Sequence, residues 1–306
     1  MKYIRASIHL VANLRILVIT QKKSEVLNKL LESKEIVGII EPREDNSLTS
    51  IIEKAIFKNV KKVAKKYCIP YLLMKDKKQE ILSWIKDKNP DLIVVYSMPF
   101  LLKEEIFSFP KLGTINLHTA LLPKYRGAVP IFWTYYLFDR NAGVTVHYID
   151  KGEDTGDILL QKDVKIELGE RYYELRAKFE AAGAKALVES INKIESGKVE
   201  RKIQPKESPT PRAKRVKKDD YLNIIDWDWD LERLWHFFRG TENYLKFLLL
   251  HNKLIARFIR IEVGEMEKTE HSLNIGKNYK DMKGKFIACK GGKIYYKFKF
   301  WNPYKK

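Results

Sequence analysis

Asp91 to Tyr96 reads DLIVVY, an unbroken apolar run in which Ile93, Val94 and Val95 are β-branched. A run this short, with this composition, predicts a strand buried on both faces. The same reading applies upstream to Leu14–Thr20 (LRILVIT), to Ile36–Ile40 and to the shorter Tyr71–Met74. Between these strands the apolar residues fall at helical spacing. Val26, Leu27, Leu30 and Leu31 mark one helix, and 51–67 and 79–88 mark two more. Strands alternating with helices predict a Rossmann-like α/β fold: a largely parallel sheet with helices on both faces.

The first strand runs into Gln21-Lys22-Lys23-Ser24. There is no GxGxxG and no GxxxxGK[ST] there, so the phosphate-cradling turn of a dinucleotide or P-loop protein is missing. Ser97 to Leu101 (SMPFL) lies just past the carboxyl end of the DLIVVY strand, the edge at which open α/β sheets bind ligands. Met98, Phe100 and Leu101 would form an apolar wall there, suited to a flat heterocycle.

Downstream, residues 113–157 are the densest in side chains that chemistry can use: GTINLHTALLPKYRGAVPIFWTYYLFDRNAGVTVHYIDKGEDTGD. If Thr114 to His118 is extended, Asn116 and His118 share one face and Leu117 points the other way into a core. A turn at Pro123 to Gly127 follows, then a strand at Val144 to Ile149, then a loop holding Asp150, Glu153, Asp154 and Asp157.

Beyond this stretch, 170–196 predicts a long helix stopped by Gly197. Residues 203–220 carry three prolines and a basic excess and read as a surface linker. A helix through Leu231, Leu234, Trp235 and Phe238 precedes strand-like runs at 247–250, 254–263, 284–289 and 293–300. The expected organisation is a catalytic domain over 1–202, a linker over 203–220 and a small β-rich C-terminal domain over 221–306.

The 306 residues are 45% hydrophobic, ample for burial, and include only two cysteines, Cys68 and Cys289. Neither a disulfide framework nor a zinc site is suggested, and the expected location is a reducing cytoplasm. No apolar run has the length of a membrane span. The formal charge is +19. Residues 201–306 hold 25 Lys/Arg against 13 Asp/Glu, a net +12, and 1–200 hold 33 against 26, a net +7. The denser basic excess at the C-terminal end suits an anionic partner, and equally a lysine-rich solvated surface.

The ordered set N-x-H, LLPKYRG, GVTVHYID and KGEDTGD resembles the signature of the folate-dependent formyltransferases. In that family the pattern is N-x-H-x-S-L-L-P-x-x-x-G, then G-V-T-x-H, then D-x-G. Here Asn116, His118, Leu121, Leu122, Pro123 and Gly127 match, then Gly143 to Thr145 with His147, then Asp154 and Gly156; Ala120 replaces the family's serine. The resemblance is specific over about 90–160, and Ile225 to Trp227 (IDW) is similar to the start of the family's C-terminal domain.

The resemblance implies that Asn116, His118 and Asp154 are catalytic and that 10-formyltetrahydrofolate is the co-substrate, with no metal. An amine attacking a formyl carbon needs a hydrogen-bond donor at the developing oxyanion and a group to take the amine proton. Asn116 fits the first need. His118 fits the second, or donates to the oxyanion when protonated, and Asp154 fits the acidic member that orients it. Phe100, Leu101, Leu102, Asp150, Lys151, Gly152 and Glu153 are the implied contacts of the folate. His147 reads as a structural or substrate-edge residue.

For the acceptor, the expectation is a nucleotide-linked amino sugar, with methionyl-tRNA as the alternative. The stretch 41–49 (EPREDNSLT) has one Arg against three acidic residues, which disfavours a phosphate backbone. The aromatic run at 132–136 suits stacking on a base or sugar and equally a helix packed on the sheet. No membrane partner is expected, and a homodimer is the expected assembly. A non-catalytic nucleotide- or RNA-binding module is the reading from another class, and it gives no use to the Asn-His-Asp set.

Overall fold

The computed structural model describes residues 14–42, 60–75, 81–250 and 259–300. The chain forms two compact units. One comprises 1–118, 146–160 and 183–204, the other 119–145, 161–182 and 205–306.

In the first unit, β1 (Arg15–Thr20), β2 (Glu35–Pro42), β3 (Tyr71–Met74), β4 (Leu92–Tyr96) and β5 (Thr114–His118) are parallel neighbours. With β6 (Asn141–Tyr148) and β7 (Ile158–Lys165) the sheet order is β3-β2-β1-β4-β5-β6-β7. The order reverses between β1 and β4, the switch point beside which α/β sheets place ligands. Every residue of β4 is buried, as its continuous apolar sequence requires.

The connecting helices are α1 (Glu25–Ser33), α2 (Val60–Lys66), α3 (Leu82–Lys88) and the single turn α4 (Glu104–Phe107). Ser24 caps α1 by accepting the Leu27 N–H, and Val26, Leu27 and Leu30 form its buried stripe. The predicted helices over 51–67 and 79–88 are thus seen from Val60 and from Leu82 onward; 51–59 and 79–80 lie outside the described residues. Glu41, expected in a polar loop, is the seventh residue of β2. It is buried and accepts the Tyr71 hydroxyl at 2.7 Å.

The long helix α5 (Tyr172–Glu195) follows β7, which the sequence did not mark as a strand. In the first unit Gly183 of that helix leaves no room for a Cβ beside Leu117, so the inward face of β5 packs directly on it.

The second unit holds α6 (Pro130–Tyr136), α7 (Lys218–Ile224), α8 (Leu231–Gly240) and α9 (Glu242–Leu249). It also holds an antiparallel sheet of order β8-β11-β10-β9. Its strands are β8 (Ile259–Lys268), β9 (Asn278–Lys280), β10 (Lys285–Cys289) and β11 (Gly292–Phe300). The run expected as a strand at 247–250 lies instead at the end of α9. An apolar run of that length carries no period of its own, and burial of Leu245 and Leu249, four apart, is helical.

The aromatic run is a helix packed inward. Phe132 lies 5.7 Å from Phe237, 6.2 Å from Tyr221 and 5.0 Å from Tyr244, ring centre to ring centre, and it is buried with Trp133 and Tyr135. These rings hold the helices together and are not a stacking surface for a base.

The 203–220 stretch is pinned rather than free. Arg126 donates to the carbonyls of Pro205 and Lys206, Tyr125 N–H to Thr210, and Trp133 Nε1 to Lys214 O at 2.9 Å. Its last residues already belong to α7. Among the described residues no helix is long and apolar enough to cross a membrane.

Candidate active site

β5 brings Asn116 and His118 to one face, as its two-residue period requires. Asn116 pairs in register with Val95, so it stands beside the carboxyl end of β4. From β6, His147 projects to the same place. Its Nδ1 lies 2.7 Å from the Tyr148 carbonyl, a contact an N–H makes, which leaves Nε2 of the neutral ring as the acceptor. Asn116 Nδ2 donates to that Nε2 at 3.0 Å.

The fourth member comes from the loop after β6. Asp154 Oδ1 accepts from Asn116 Nδ2 at 3.4 Å and lies 3.5 Å from His147 Nε2. Its other oxygen, Oδ2, lies 3.5 Å from His118 Nδ1. One carboxylate therefore faces an amide and two imidazoles. The imidazole rings stand edge-on, 6.4 Å between centres. His118 is 6% and His147 2% exposed, and Asp154 shows 15% of its side chain. In this half-shielded setting charge interactions are stronger than in open water.

The loop that presents Asp154 is tightly built. Asp150 Oδ1 accepts the Gly152 N–H at 3.0 Å and the Thr155 hydroxyl at 2.6 Å. Tyr148 N–H donates to Asp157 O at 2.9 Å. Gly156 lies so close to Tyr148 that a Cβ would stand 2.0 Å from its carbonyl oxygen, so only glycine fits.

The three residues expected as catalytic are thus brought together. Of the expected folate contacts, Phe100 and Leu102 are half-buried against the core around Val95 and Ile106, together with Met98 and Ile149. Leu101 is 69% exposed and is not part of that wall. Asp150 shapes the loop, Lys151 pairs with Glu104 of α4 at 3.0 Å, and Gly152 and Glu153 form the bend that leads to Asp154. A cavity of about 410 Å³ shares Asp150, Gly156 and Asp157 with this loop, but none of Asn116, His118 or Asp154 lines it.

The sequence matches the family described as Formyl transferase over residues 12–191, more than half of the chain. The chain belongs to the formyl transferase family. It is an enzyme of the folate-dependent formyltransferase class. A methionyl-tRNA formyltransferase of Clostridioides difficile (strain 630) is 32% identical over 80% of this chain and 78% of its own length. Another, from Geotalea daltonii, is 31% identical over 88% of this chain and 84% of its own. A sugar 3N-formyl transferase, solved in the presence of dTDP and 5-N-formyl-THF, superposes with a TM-score of 0.60. That likeness covers 93% of this chain and 97% of the other at 15% identity, so it speaks to the fold alone.

His147 is the member of the constellation expected as a structural or substrate-edge residue rather than a catalytic one. Its signal was the strand period, which puts Thr145 and His147 on one face of β6. Gln204 also reaches the Asp154 loop. Its place in a proline-rich stretch gave no sign of it.

Proposed function

We propose that this protein transfers a formyl group from 10-formyltetrahydrofolate to the amino group of methionyl-tRNA. The observation that carries the acceptor is the identity of 31–32% with methionyl-tRNA formyltransferases across 80–88% of the chain. This reverses the ranking of acceptors expected from the acidic stretch at 41–49. One of its three acids, Glu41, is buried in β2 against Tyr71 and presents no charge to a passing phosphate. The net +12 over 201–306 supports a polyanionic acceptor.

The side chains present fit the donor. The half-buried Met98, Phe100 and Leu102 offer apolar faces to a flat ring system beside β4, and the Asn116 amide, His118 and Asp154 lie at the end of the neighbouring strand. The folate, when bound, supplies a formyl carbon on a nitrogen leaving group. Asn116 turns one N–H from the carboxylate to the formyl oxygen, where negative charge grows, while His147 keeps the amide oriented. His118 takes the proton released by the attacking amine and returns it to the folate nitrogen as the bond from that nitrogen to the formyl carbon breaks. Asp154 holds the His118 ring and stabilises the positive charge it acquires. A cytoplasmic location goes with this reading.

The test is formyl transfer by the full chain, with methionyl-tRNA and a dTDP-linked amino sugar offered in parallel. Turnover on methionyl-tRNA, with KM rising steeply from about 50 to 200 mM salt, supports the proposal. Transfer to the amino sugar alone sinks it.

A further inference from the structure

Gln204 lies 50 positions beyond Asp154, yet its amide closes the Asp154 loop from behind. Nε2 donates to Gly156 O at 2.7 Å and to Asp154 O at 3.1 Å. The residue is only 8% exposed, so these bonds form largely away from water, where losing them is costly.

The turn needs such a hold. Asp154 sits at φ +57°, the left-handed region that glycine, and Asp or Asn as single residues, adopt. Asp150 and Tyr148 tie the loop at its ends. Gln204 takes the two carbonyls that flank Thr155, directly behind the carboxylate. Its own anchorage is firm. Ile158 and Lys202 exchange both backbone hydrogen bonds at 2.8 Å, and the Arg201 guanidinium stacks 4.0 Å over the Tyr148 ring.

We propose that Gln204 is a positioning residue for the reaction, fixing where the Asp154 carboxylate stands relative to His118, His147 and Asn116. This rests on the reading of Asp154 as the active-site carboxylate. A carboxylate 3.5 Å from each of two imidazoles has little tolerance for drift. Misplacement by about 1 Å at a reacting group costs on the order of 10²-fold in rate.

The test uses Gln204→Met, which keeps length and removes both donors, and Gln204→Asn, which keeps the amide but draws it back. Each is made alone and together with Asp154→Asn. For Gln204→Met we expect kcat to fall about 10-fold or more with KM for donor and acceptor within about twofold. Gln204→Asn should fall between it and wild type, and is the test should the Met variant fail to fold. In the Asp154→Asn background neither should lower kcat further. Independently of any acceptor, the imidazole ¹⁵N shifts of His118 and His147 should move toward those of Asp154→Asn.

Wild-type turnover and wild-type shifts in both Gln204 variants, with Asp154→Asn impaired, would overturn the positioning role alone. If Asp154→Asn itself changes neither turnover nor shifts, the reading of Asp154 fails and the role of Gln204 falls with it.

Discussion

Two histidine environments in this chain are alike in burial and opposite in chemistry. His118 and His147 are 6% and 2% exposed, and His236 on α8 is 0% exposed. The first two stand 3.5 Å from the Asp154 carboxylate. His236 instead lies among rings, 4.9 Å from Tyr135 and 5.3 Å from Phe138. Its Nδ1 accepts the Gly169 N–H at 2.9 Å, which leaves the proton on Nε2. Burial, with Arg140 and Arg239 nearby, pushes the His236 imidazole down to about 4. The two guanidiniums repel a proton on the His236 ring, whereas the charged neighbour of the other two rings is a carboxylate. Burial alone therefore does not mark a working histidine in this molecule. The sign and position of its neighbours do.

That contrast is most easily broken with a pair of substitutions. His118→Ala should lower kcat for formyl transfer by about 10²- to 10⁴-fold, the range of a lost general base. His236→Gln, which keeps an acceptor for Gly169, should leave kcat within about twofold, because it touches none of the reacting groups. Equal losses in the two variants would erase the distinction.

Acid unfolding separates them in the other direction. Below about 6.5 the unfolded chain protonates His236, while the folded chain holds it neutral down to about 4. The unfolded state then binds more protons, so this residue makes stability fall as pH drops through that window. His236→Gln should remove on the order of 3 kcal/mol of that acid sensitivity, read from urea midpoints at pH 4 and pH 7. Glu242 works against it. Burial pushes its carboxyl up to about 7, against the pull of the Val263 N–H and of Arg171 and Arg239, so its own contribution falls as pH rises from about 4.5 to 7. The comparison is therefore between variant and wild type at each pH.

His147 falls between His118 and His236 in its expected effect on kcat. It orients Asn116 and takes no proton in the proposed reaction, so His147→Ala should reduce kcat about 10-fold and leave KM for methionyl-tRNA unchanged. A loss as large as that of His118→Ala would make it a second acid–base group.

Much of the fold could be read from sequence because its strands are short β-branched runs that only a doubly covered sheet can bury. β1 and β4 were legible for that reason. So was the placement of Asn116 and His118, since a strand period of two leaves no choice of face. The failures have physical causes too. The apolar run at 247–250 has no period to separate strand from helix. The tethers from Arg126, Tyr125 and Trp133 to 205–214 end mostly on backbone carbonyls, which composition does not encode. Glu41 counted as a loop charge until its partner Tyr71, 30 residues away, placed it inside the sheet. Gln204 is a long-range clamp of the same kind.

The most direct test of the central claim is the steady-state kcat of Asn116→Ala in formyl transfer from 10-formyltetrahydrofolate to methionyl-tRNA, with Tm measured alongside. The account predicts a fall on the order of 10²- to 10³-fold, the loss of one oxyanion donor, at an unchanged Tm. A kcat within about twofold of wild type in that folded variant would contradict it.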